Sequence, residues 1–130
     1  MTISAEKANK LAIAYTAAWC SHSAEDVASF YAPDGGIIIN EGEPYPTRTD
    51  VQRMAQGFID EFPDLELIMD SIRTSGTHSV FLWTLKGTHL ESGNKVTLGG
   101  WEYWTLNEEG QVVQSMGHFD ADDYQRQLDA

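Results

Sequence analysis

Between Leu65 and Asp120 the chain alternates strand-length segments with very short turn signals, and no other feature limits its fold so tightly. The segments are Leu65 to Arg73, Val80 to His89, Lys95 to Leu106 and Val112 to Asp120, separated by Ser75-Gly76, Ser92-Gly93-Asn94 and Glu108-Glu109-Gly110. Links this short join antiparallel neighbours, because a parallel return needs a crossover of a dozen or more residues. Four strands in a meander are therefore expected, with the helical half of the chain ahead of them. Helices segregated from strands make an α+β fold.

The helical half reads in three pieces. Ser4 opens a helix from Ala5 to Cys20 with Leu11, Tyr15 and Trp19 on one stripe, backed by Ala8, Ala12 and Ala18. Ser23 and Asp26 cap a second helix through about Tyr31, which ends before Pro33-Asp34-Gly35-Gly36. A first strand, Ile37 to Asn40, follows, and Asn40 to Thr47 reads as a loop or edge hairpin. Thr49 with Gln52 forms a capping box for a third helix, whose apolar stripe is Val51, Met54, Phe58 and Phe62 and which Pro63 stops. Long strands in so small a domain need to curl, and Gly87, Gly99 and Gly100 are the expected bulge sites.

Composition excludes several classes of partner. The 130 residues suit one domain, and no apolar run approaches the roughly 20 residues of a membrane-spanning helix. Twenty acidic against eight basic residues give a net charge of −12, which repels nucleic acid and anionic membranes alike. A single Cys20 and a Met1 to Ser4 start without secretory character lead us to expect a cytoplasmic protein, with Cys20 a small core residue rather than a nucleophile. Four scattered histidines and the lack of HExxH or CxxC spacing give no metal site.

The segment Gly117 to Leu128, GHFDADDYQRQL, carries the first candidate for chemistry. In an extended strand Met116, His118 and Asp120 share one face. A carboxyl group held there in apolar surroundings has a raised proton affinity and serves as a general acid or base. The competing reading makes Asp120 the cap of a terminal helix, with Asp122 and Asp123 in its first turn. His118 either supports the acid or is a hydrogen-bonded structural histidine, and Met116 is a wall residue.

On the second segment, Val80 to His89, alternation sends Lys86 outward and Phe81, Trp83, Leu85, Gly87 and His89 inward. His89 then stands at the cavity rim or at an exposed strand end. Trp101-Glu102-Tyr103-Trp104 puts large rings on both faces, as expected where one face lines a cavity and the other an interface. Trp101 and Tyr103 are taken as the cavity residues, and Glu102 as a surface or interface charge that becomes a second acid if it points inward. Tyr15 and Trp19 join the candidate ligand-binding set, although core packing with satisfied polar tips is the commoner fate of such residues.

The order of these elements, together with Phe30-Tyr31-Ala32-Pro33-Asp34, Phe62-Pro63-Asp64-Leu65, Trp83 with Gly87-Thr88-His89, Gly110 and Asp120, resembles the SnoaL-like polyketide cyclases of the nuclear transport factor 2-like superfamily. The resemblance implies a conical α+β barrel with a curved, mainly antiparallel sheet around three helices. It also implies an apolar cavity, no metal or organic cofactor, and a homodimer joined through the outer sheet face. Asp120 matches the position of the family's acid/base, so a cofactor-independent isomerase or lyase acting on a small apolar carbonyl compound is implied. A non-catalytic module binding a small hydrophobic molecule is the alternative. Ketosteroid isomerase chemistry is disfavoured, since Ile37, Ile38, Ile39 and Asn40 stand where its base belongs. An epoxide hydrolase relay lacks its arginine, because Arg73 lies beside a turn.

Overall fold

The computed structural model describes residues 2–130, so Met1, part of the start read above, lies outside the described residues. Helix α1 (Ala5–Cys20) begins where Ser4 Oγ accepts the Lys7 amide at 3.1 Å. Its Ala8, Ala12, Tyr15, Ala18 and Trp19 are buried as the spacing predicts, and Leu11, the first residue of the expected stripe, is half-buried against the core. A short helix α2 (Ala24–Ala28) follows with Ser23 as its cap. Then come strand β1 (Tyr31–Ile39), helix α3 (Arg48–Glu61), strands β2 (Glu66–Ser75), β3 (His78–Thr88), β4 (Lys95–Leu106) and β5 (Val112–Phe119), and helix α4 (Ala121–Asp129).

The five strands form one curved sheet in the order β1-β5-β4-β3-β2, which is not closed into a barrel. β2 to β5 pair antiparallel as the short turns require, and β1 lies parallel to β5. The helices bury one face of the sheet, and the core they share holds Tyr15, Tyr31, Phe62, Phe81 and Trp104, all nearly inaccessible. Among the described residues, no helix is long and apolar enough to cross a membrane.

Three local expectations are corrected. The second helix stops at Ala28, and the chain from Tyr31 through Pro33 and Gly36 is already strand. Tyr31 pairs with Val112, and the register shift before Gly36 absorbs the Pro-Asp-Gly run. An edge strand tolerates a proline that has no amide to donate. The third helix is capped two residues early, by Thr47 rather than Thr49, with Thr47 Oγ1 also 2.7 Å from Asp50 Oδ2. Arg48 fixes this start by donating from Nε and a terminal nitrogen to the Tyr31 carbonyl at 2.8 and 2.6 Å.

The bulges also fall elsewhere, between Met69 and Ser71 on β2 and between Val112 and Gln114 on β5, opposite Leu106 and Thr105, while pairing runs unbroken through Gly87, Gly99 and Gly100. Gly100 instead permits a close approach. A Cβ there would collide with the Trp83 indole and the His118 carbonyl, so the absent side chain lets the Trp83 ring lie across β4. Cys20 is exposed rather than core, its sulfur exchanging hydrogen bonds with the Leu67 backbone at 3.2 and 3.4 Å.

Candidate functional site

Strand β4 decides the site through its phase. Val96, Leu98, Glu102, Trp104 and Leu106 are all buried, so the even positions face the helices and carry Glu102 inward with them. Glu102 is only 6% exposed. Four side chains donate to its carboxyl group. Oε1 accepts from Tyr31 at 3.0 Å, from the Trp104 indole at 3.0 Å and from Ser115 at 2.8 Å. The Tyr15 hydroxyl spans both oxygens, at 3.2 Å from Oε1 and 3.0 Å from Oε2, and lies 3.2 Å from the Tyr31 hydroxyl. Four donors without a competing acceptor are the hydrogen-bonding complement of an ionised carboxyl group.

None of the salt bridges among the described residues includes Glu102. Its negative charge is held by neutral donors alone, inside an aromatic shell. Tyr15 meets Trp104 and Phe81 edge-on with centroids 5.2 and 5.6 Å away, and Phe81 stacks on Trp104 at 5.2 Å. Burial, and then the neighbouring Glu102 charge, push both tyrosine hydroxyls well above the ordinary phenol range. Both remain neutral donors across the physiological range.

Glu102 also lines an apolar cavity of about 50 Å³. Helices α1 and α3 supply Trp19, Met54 and Phe58 to its wall. Ile37 and Ile39 come from β1, Leu67, Trp83 and Leu85 from β2 and β3, and Gly117, His118 and Phe119 from β5. Phe58 meets Trp19 and Phe119 edge-on at 6.3 and 6.5 Å.

The structure divides the residues singled out from the sequence. Trp19 and Trp83 line this cavity, and Tyr15 reaches it through Glu102. Trp101, Tyr103 and Met116 do not, because the inward phase of Glu102 turns them to the outer face, where they are 39%, 38% and 46% exposed. His118 borders the cavity, yet its ring stacks on Trp101 at 5.4 Å. His89 belongs to a separate shallow depression beside Pro63 and Asp64, with its Nδ1 3.0 Å from Ser92 Oγ.

Asp120 is exposed, and its Oδ1 accepts the Asp123 amide at 3.0 Å as the cap of α4. The apolar surroundings expected for it are absent. Sequence reasoning ranked the buried acid, Glu102, below Asp120, although the apolar even positions Val96, Leu98, Trp104 and Leu106 carry the signal. Lys95, Thr97, Gly99 and Thr105 on the odd positions fix the same phase.

A family model described as SnoaL-like domain matches residues 12–115. The chain belongs to the SnoaL-like family. No functionally curated protein matches this SnoaL-like chain. Several solved structures share its fold. AclR, a putative hydroxylase from Streptomyces galilaeus, is 20% identical with a TM-score of 0.84, over 97% of this chain and 98% of that one. A hypothetical protein with a ketosteroid isomerase-like fold from Catenulispora acidiphila, crystallised with trimethylamine, is 12% identical over 92% of both chains, with a TM-score of 0.84. A putative SnoaL-like polyketide cyclase from Jannaschia sp. CCS1 is 18% identical over 93% of both, with a TM-score of 0.76. At these identities the likeness extends to the fold.

Proposed function

We propose that this SnoaL-like protein is a cofactor-independent acid/base enzyme for a small, largely apolar molecule, with Glu102 as the group that accepts the proton. One observation carries the reading: a carboxyl group with no cationic partner stands at an apolar cavity, fixed by Tyr15, Tyr31, Trp104 and Ser115. The four donors hold the carboxyl group in one orientation at the cavity, and a carbon–hydrogen bond next to a carbonyl is the kind of proton a positioned carboxylate removes. The trimethylamine complex of the Catenulispora protein supports small-molecule occupancy of this fold. In this reading Asp120 holds α4 in place, and the outer sheet face bearing Trp101, Tyr103 and Met116 meets a second copy of the chain.

Proton transfer is tested without knowing the natural substrate. Small ketones are incubated with protein in deuterium oxide, and loss of the α-proton signal is followed by nuclear magnetic resonance. Wild type is expected to catalyse exchange, Glu102→Gln to slow it by about 10²-fold or more, and Asp120→Asn to leave it within a few fold. Loss in Asp120→Asn with retention in Glu102→Gln would return the chemistry to Asp120. Binding without exchange in any protein would favour the non-catalytic module.

A further inference from the structure

From the one carboxyl residue on this otherwise apolar, aromatic lining we infer that its ligand presents a protonated amine, which pairs with Glu102 while aromatic rings surround its carbon substituents. The inference rests on the reading of this cavity as the ligand site and adds the charge of the molecule that enters. Every hydrogen-bond donor around the carboxyl group is already directed at it: Tyr15, Tyr31, Trp104 and Ser115. None of these four is free to donate to a ligand as well. What remains is acceptor capacity, since Oε1 takes up Tyr31, Trp104 and Ser115 while Oε2 has Tyr15 alone. A ligand group that complements Glu102 therefore donates.

Charge separates a cation from a neutral alcohol as that donor. A buried carboxylate without a counter-ion is costly, and a cation brought beside it by a ligand offsets the cost of its own desolvation. Trp19, Phe58, Trp83 and Phe119 line the same cavity, and the faces of such rings attract alkylammonium groups. A net charge of −12 raises the local concentration of cations around the protein and lowers that of anions. At about 50 Å³ the cavity holds a headgroup, with any longer apolar tail leaving through the mouth.

The experiment compares n-butylammonium chloride with 1-butanol, which has the same chain and no charge, by titration followed through the tryptophan indole resonances. Wild type is expected to bind the ammonium at least about tenfold more tightly than the alcohol. Glu102→Gln should erase that preference. Gly117→Val should weaken the ammonium by the same order, because a Cβ at Gly117 makes ordinary 3.6 to 3.8 Å contacts with Ile37, Ile39 and Glu102 and further methyl groups enter the cavity. Equal or tighter binding of 1-butanol, or an ammonium preference that survives Glu102→Gln, overturns the inference, as does failure of n-butylammonium to bind. If Glu102→Gln does not fold, the wild-type preference decides, with the weaker ammonium binding of Gly117→Val placing the ligand in this cavity. Ketone exchange that depends on Glu102 without an ammonium preference would leave the acid/base reading standing alone. An ammonium preference without exchange would do the reverse.

Discussion

At the scale of single residues, the distinction between Glu102 and Asp120 is one of surroundings rather than chemistry. Both are carboxylic acids, but one is enclosed by hydroxyl and indole donors and the other accepts a backbone amide at the surface. Glu102→Ala should cost about 3 kcal/mol or more in urea unfolding, since it orphans several buried donors at about 1–3 kcal/mol each. Asp120→Ala should cost only about 1 kcal/mol, the usual value of a helix cap. An Asp120→Ala loss as large as that of Glu102→Ala would contradict the assignment of roles. The raised tyrosines give a pH dependence of known sign. Because the fold holds the Tyr15 and Tyr31 protons more tightly than the unfolded chain, their contribution is complete below the unfolded value of about 10. It is lost as pH climbs above that toward the raised folded value. The urea midpoint should therefore fall above about pH 10, and less steeply in Tyr31→Phe. Equal slopes in the two proteins would remove Tyr31 from the explanation.

At the scale of elements, hydrophobic period was informative and exact boundaries were not. The stripe of α1 and the full extent of β4 are legible because many residues contribute to each pattern. A cap is one residue, and Thr47 and Thr49 both precede the same apolar run. Tertiary contact separates them, since Arg48 can reach the Tyr31 carbonyl only when the helix begins after Thr47. Thr47→Ala is accordingly expected to destabilise by about 1 kcal/mol, whereas Thr49→Ala should change stability by under about 0.5 kcal/mol. Thermal denaturation of the two variants compares them directly, and the reverse ranking would place the cap where the sequence pattern first put it. The phase of β4 was also legible from its ends, where apolar and polar residues alternate without exception. Its middle obscured that signal, because Trp101 and Tyr103 are as apolar as a core face while standing on the outer one.

At the scale of the whole molecule, the sheet has two unlike faces. The inner one is covered by the helices apart from the cavity mouth, and the outer one leaves Leu82, Trp101, Tyr103 and Met116 partly open to solvent. Trp101 stacks on His118 and Tyr103 lies against His78, so these rings are fixed in place without being covered. A second copy of the chain covering this face would remove them from water. Sedimentation at micromolar concentration is expected to show a dimer, and Trp101→Lys with Met116→Lys is expected to yield monomers that retain their circular dichroism. A monomeric wild type would reject that role for the face.

The α+β architecture, the antiparallel meander and the SnoaL-like family were determined by sequence alone, because each is written in patterns many residues long. Which acid is buried was decided only by tertiary structure. That outcome depends on four donors from α1, β1, β4 and β5 converging on one side chain, and their partners lie between 2 and 87 positions away along the chain. No local pattern records a convergence of that kind, so the carboxylate with the more suggestive neighbours in sequence was the one exposed in space.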